Sequence, residues 1–131
     1  MTFPPYYFRV KENGATVFRV DSENRQRRLE LEQIATVNTG NGTVRPHGDR
    51  RLTEEDRAAI DAWLAERQAV LAAREAEAAR RAVETLNLTA QWAQSRASAE
   101  EVEAATDALL LAMHDLRTVL VKKRADRLAG D

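Results

Sequence analysis

The chain has 131 residues, no cysteine, and 20 Lys+Arg against 21 Asp+Glu, for a net charge of −1. The absence of cysteine excludes a disulfide framework, a thiolate zinc site and a cysteine nucleophile. The charge balance gives no overall field towards nucleic acid or an anionic membrane, and the length suits one domain, or one small domain carrying an extended helical element.

The first residues, Met1 to Tyr7, hold two prolines and no basic region leading into an apolar run, so they do not read as a signal peptide. No stretch approaches the roughly 18 consecutive apolar residues of a membrane span. The expectation is a cytoplasmic chain with no membrane partner. Arginine outnumbers lysine 17 to 3 and alanine is abundant, the composition of a GC-rich bacterial genome.

Residues 1–50 use β-branched and aromatic residues punctuated by Gly, Pro and Asn, which predicts a β-meander of three or four strands. Tyr6 to Lys11 and Ala15 to Val20 flank Asn13-Gly14, a hairpin signal. A two-residue Asn-Gly turn would pair Phe8 with Arg19 and leave neither face clean. A three-residue loop, Glu12-Asn13-Gly14, would pair Phe8 with Phe18, Tyr6 with Val20 and Val10 with Thr16. The buried face should choose the register, so the three-residue loop with a glycine bulge is expected. Arg28 to Asn38 reads as the next strand, with Leu29, Leu31, Ala35 and Val37 on one face. Gln33 interrupts that face and Ile34 points the other way, which suggests a bulge or an edge of burial. Thr39-Gly40-Asn41-Gly42 is a second turn, and Thr43 to Arg45 a short last strand stopped by Pro46.

Residues 51–131 switch to Ala, Leu, Glu and Arg, the vocabulary of helices. Thr53 followed by Glu54, Glu55 and Asp56 starts a helix expected to run from about 53 to 93. Ser98 with Glu101 three residues later forms a capping box for a second, from about 99 to 128, with Gly130 beyond its end. Asn87 and Thr89 make a break near Leu88 the alternative to one continuous helix. An alanine stripe on the first helix, including Ala72, Ala76, Ala79 and Ala90, recurs at steps of three and four beside Val83. Val102, Leu109, Met113, Leu116 and Leu120 recur likewise on the second. Folding at 94–98 sets large residues opposite small ones, which predicts an antiparallel, coiled-coil-like hairpin. Ile60, Trp63, Leu64, Val70 and Leu71 are left to cover the apolar face of the sheet, expected to be Phe8, Phe18, Val20 and Leu31. Leu88 and Trp92 lie off the stripe near the hairpin tip. They are candidate interface residues, either between molecules or against Val102 and Leu110.

Chemistry-bearing signals are sparse. His47, in Arg45-Pro46-His47-Gly48-Asp49-Arg50, is the best candidate for a reactive side chain, but a general base needs an orienting partner and a pocket. His114 and Asp115 are adjacent in a helix and point about 100° apart, which suits no ligand pair. Glu54, Glu55 and Asp56 read as a helix start. No glycine-rich phosphate loop or Gly-x-Ser-x-Gly elbow occurs. Lys122, Lys123, Arg124 and Arg127, with Arg117 upstream, form a candidate basic patch, which also suits the end of a helix. Arg25, Arg27 and Arg28 form a second basic group. The sequence thus implies an α+β protein: a β-meander over 1–50 and a helical hairpin over 51–131, expected to form one structural unit. It carries no catalytic, cofactor or metal signature. The function expected is a non-enzymatic interaction or oligomerisation module, a homodimer acting through its hairpin. The alternative is a nucleic-acid-associated accessory protein using the basic C-terminal helix end, although the composition argues against a nucleic-acid partner.

Overall fold

The computed structural model describes residues 3–24, 26 and 28–130. Four strands form one antiparallel sheet in chain order: β1 Tyr6–Lys11, β2 Gly14–Asp21, β3 Glu30–Asn38 and β4 Val44–Pro46. Two helices follow, α1 Glu54–Ser95 and α2 Ala99–Gly130. The fold is therefore α+β, a meander followed by a helical hairpin, as the residue usage implies. Two compact units divide at residue 78: residues 1–78 hold the sheet and the first part of α1, and residues 79–131 hold the rest of α1 and α2. No helix among the described residues is long and apolar enough to cross a membrane.

The first hairpin adopts neither register considered from sequence. Lys11 pairs with Gly14, Phe8 with Val17, Tyr7 with Phe18 and Tyr6 with Arg19, so the loop is Glu12-Asn13. Gly14 belongs to β2, and the reason is steric. A Cβ there would sit 1.8 Å from the Val37 carbonyl oxygen, so only glycine lets the two backbones approach. The register places Arg19 on the helix-covered side of the sheet, which the expectation of a clean apolar face ruled out.

Between β2 and β3 the register shifts once. Val17 faces Ala35 and Phe18 faces Gln33, leaving Ile34 as the extra residue of a bulge. The bulge expected at Gln33–Ile34 is thus present, and it turns the Ile34 side chain into the core. The core is Val17, Ile34, Ala35, Val37 and Ile60, flanked by Tyr6, Phe8, Val44, Leu52, Trp63 and Leu64. Ile60, Trp63 and Leu64 of α1 cover the sheet as expected, with Trp63 stacked parallel on Phe8 at 4.7 Å between ring centroids. Val70 is exposed instead. Phe18 lies on the opposite face, where Tyr7 stacks on it and the Arg9 guanidinium sits 4.5 Å from its ring centroid. Leu29 and Leu31 are exposed.

Asparagine side chains build the turns. Asn38 Oδ1 accepts the Gly40 and Asn41 amides at 2.8 and 3.2 Å, and Gly42 adopts φ 75° to close the loop into β4. Pro46 ends β4 from inside the strand, paired with Ala35, and the His47 amide still bonds to the Ile34 carbonyl. Thr53 caps α1 reciprocally with Asp56: the Asp56 amide donates to Thr53 Oγ1 at 3.0 Å, and the Thr53 amide to Asp56 Oδ2 at 3.0 Å. Ser98 and Glu101 cap α2 in the same way, at 3.1 and 2.9 Å. α1 continues through Leu88 without a break, and Gly130 is the last residue of α2.

Candidate interaction surface

Among the described residues of the N-terminal unit, one ionised group is buried. Asp56 is 1% exposed, and its two oxygens accept four hydrogen bonds. Tyr6 Oη donates at 2.5 Å, one Arg19 nitrogen donates at 2.9 and 2.8 Å, and the Thr53 amide completes the set. Arg19 also approaches Glu32 at 3.7 Å, and Arg50 pairs with Glu32. Burial alone would raise the Asp56 carboxyl, but the bonds from Tyr6, Arg19 and Thr53, with the Arg19 charge, outweigh it and hold the group far below the usual carboxylate range. The Tyr6 hydroxyl is pushed up to about 12 by burial, then by its bond to Asp56 and the charge there. A carboxylate with every lone pair occupied is a poor proton acceptor. The cluster fastens the α1 N-terminus to β1 and β2, and residue types alone did not reveal its members. The one signal was Arg19 on an otherwise apolar strand face.

The other sequence candidates are dispersed. His47 is exposed in the turn after β4, where its backbone bonds Ile34 and Arg50 and its side chain makes no hydrogen bond or ion pair among the described residues. His114 lies on α2, 73% exposed, with Nδ1 3.3 Å from Asp115 Oδ1. No group of three or more His, Asp or Glu able to hold a metal occurs among the described residues. Arg25 and Arg27 lie outside the described residues. A polar hollow of about 580 Å³ opens at the loop end of the sheet, lined by Lys11, Thr36, Asn38 and Arg45 among others.

The C-terminal unit is organised differently. α1 ends where the Trp92 carbonyl accepts both the Arg96 and Ala97 amides, and the capped α2 starts after three intervening residues. Thr89, Trp92, Ala97, Val102, Ala105 and Thr106 are half-buried, all close to the bend. From Asp107 to Gly130 every residue is exposed, and α2 buries none at all. The large residues expected along the seam are not buried. Val83 is 60% exposed, and Leu109, Met113, Leu116 and Leu120 are exposed as well. An open apolar groove of about 670 Å³ runs instead between Leu86 of α1 and Met113, Leu116 and Leu120 of α2, with Arg117 and Arg124 on its rim.

The two candidate interface residues separate. Leu88 is 54% exposed on the hairpin surface, whereas Trp92 is half-buried by the bend. Sequence reasoning missed the extent of the apolar surface on α2. Leu110, Leu111, Val119, Val121 and Leu128 are each more than half exposed. Apolar residues occupy most of the circumference of α2 between Ala108 and Val121, a pattern normally met in helices covered on several sides. Lys122, Lys123, Arg124 and Arg127 are all exposed on the last turns of this helix. Comparison of the chain with protein-family models, with curated proteins and with solved structures finds no match.

Proposed function

We propose that this chain is a non-enzymatic interaction module, a cytoplasmic bacterial or phage-encoded adaptor or assembly protein whose helical hairpin is its docking arm. The observation that carries this reading is α2, which buries none of its residues while exposing leucines, valines and a methionine along its middle. Contiguous apolar surface on that scale marks a protein contact. Covering a half-exposed leucine contributes about 1 kcal/mol. Leu109, Met113, Leu116 and Leu120 together contribute about 4 kcal/mol, at the lower end of the 4–15 kcal/mol that association costs. A partner must therefore cover more than one stripe of the hairpin.

The experiment replaces Leu109, Met113, Leu116 and Leu120 with glutamine and measures solution mass by light scattering alongside urea unfolding followed at Trp63. A docking arm predicts loss of association with the Trp63 transition unchanged, because none of the four lies in the sheet core. Association that survives the substitutions, or a Trp63 transition that collapses with them, refutes the reading. Nucleic acid that co-purifies and leaves at high salt would instead favour a phosphate-binding role for Lys122, Lys123, Arg124 and Arg127.

A further inference from the structure

The charges of α2 are segregated along its length. Residues 99–114 carry Glu100, Glu101, Glu103 and Asp107 and no lysine or arginine. Residues 115–130 carry five cations, Arg117, Lys122, Lys123, Arg124 and Arg127, against Asp115 and Asp126. The first half is −4 and the second +3. The helix dipole accounts for charges in the terminal turns only. Those are Glu100, Glu101 and Arg127. Glu103, Asp107, Arg117 and Arg124 lie further in, so another cause placed them there.

From this segregation we infer that the partner of the groove is the α2 helix of a second copy of this chain, lying antiparallel across a two-fold axis near residues 114 and 115. The inference rests on the docking-arm reading and names its occupant. An antiparallel pair brings each acidic half against a basic half, whereas a parallel pair brings like charges together. The apolar spacing supports the same centre. Leu109, Met113, Leu116 and Leu120 repeat at steps of four, three and four, symmetric about the midpoint of Met113 and Leu116. In the antiparallel pair Met113 meets Leu116 of the second copy, Leu109 meets its Leu120, and the next position outward on one side sets Glu103 opposite its Arg124. The contact is isologous, so each such pair occurs twice. The groove between Leu86 and α2 is open on the stripe that the second helix would fill. Two hairpins joined in this way form a four-helix core, and each supplies the cover the other lacks.

The chain has no cysteine, so single cysteines report the geometry directly. Glu103→Cys and Arg124→Cys full-length proteins are mixed and oxidised. The expected product is the mixed disulfide alone, because two copies of position 103 lie about 35 Å apart in this arrangement at 1.5 Å per residue. Reversing Lys122, Lys123, Arg124 and Arg127 to glutamate should weaken self-association about 100-fold at low salt. Adding Glu100→Lys, Glu101→Lys, Glu103→Lys and Asp107→Lys should restore it. A disulfide between two Glu103→Cys chains, or no restoration, overturns the inference. So does a monomer at about 100 μM. Hydrogen exchange on that monomer separates the two readings. Fast exchange along α2 removes self-pairing only, while strong protection means the chain covers the face itself and the docking arm falls too.

Discussion

Asp56→Asn is the sharpest test of how the N-terminal unit is held together. The substitution keeps the volume of the side chain but turns one oxygen into an NH₂ donor, which then faces the Arg19 guanidinium and, depending on the oxygen replaced, either the Tyr6 hydroxyl or the Thr53 amide. Removing one partner of a buried pair costs about 3–5 kcal/mol. Arg19 is 40% exposed and retains Glu32 at 3.7 Å, so water recovers part of its solvation and the lower figure applies, about 3 kcal/mol. Against a typical stability of about 5–15 kcal/mol this is a large fraction. At an m value of about 2 kcal/mol per molar urea, the midpoint falls by about 1.5 M. Trp63 reports on this unit through its stack on Phe8, and a Trp92→Phe background removes the signal of the other unit. Tyr6→Phe should cost about 1 kcal/mol. The double variant should lose less than the sum of the two, because both remove the same bond. An Asp56→Asn loss below about 1 kcal/mol, or strict additivity with Tyr6→Phe, would refute the argument that this carboxylate pins α1 to the sheet.

Three further outcomes follow from the same geometry. Gly14→Ala forces a Cβ to within 1.8 Å of the Val37 carbonyl oxygen, so the β2–β3 ladder must shift; a loss of about 3 kcal/mol in the Trp63 transition is expected, and a neutral result would mean that the strands are not so close. Stability should fall on both sides of neutrality. Asp56 has its pKa lowered by folding, so its contribution is present above the unfolded value of about 3.9 and is lost as pH drops below it. Tyr6 is raised, so its contribution is full below about 10 and is lost as pH rises through about 12. An acid limb unchanged in Asp56→Asn would contradict that assignment. Ser98→Ala removes the acceptor for the Glu101 amide and should lower the stability of the hairpin unit by about 1 kcal/mol, read at Trp92 in a Trp63→Phe background.

Much of this architecture follows from local chemistry. Capping residues act within three positions of themselves, so Thr53 and Ser98 mark the helix starts to within a residue. The asparagines and glycines of 38–42 specify their turn in the same local way. The bulge at Ile34 is legible because a strand has a period of two and Gln33-Ile34 breaks it. The first hairpin shows where such reasoning stops. Its register depends on Arg19, which looks misplaced on an apolar face until Asp56, 37 residues away, arrives to pair with it. Gly14 likewise reads as a turn residue, and only the approach of Val37 shows it to be a strand residue. On the helices, periodicity says which residues share a face but not what covers that face. The sequence by itself determined the elements, their order and their caps, since these depend on neighbours within a turn. The tertiary structure decided the hairpin register, the buried ion pair and the openness of the groove beside α2, because each depends on groups that the chain brings together only after folding.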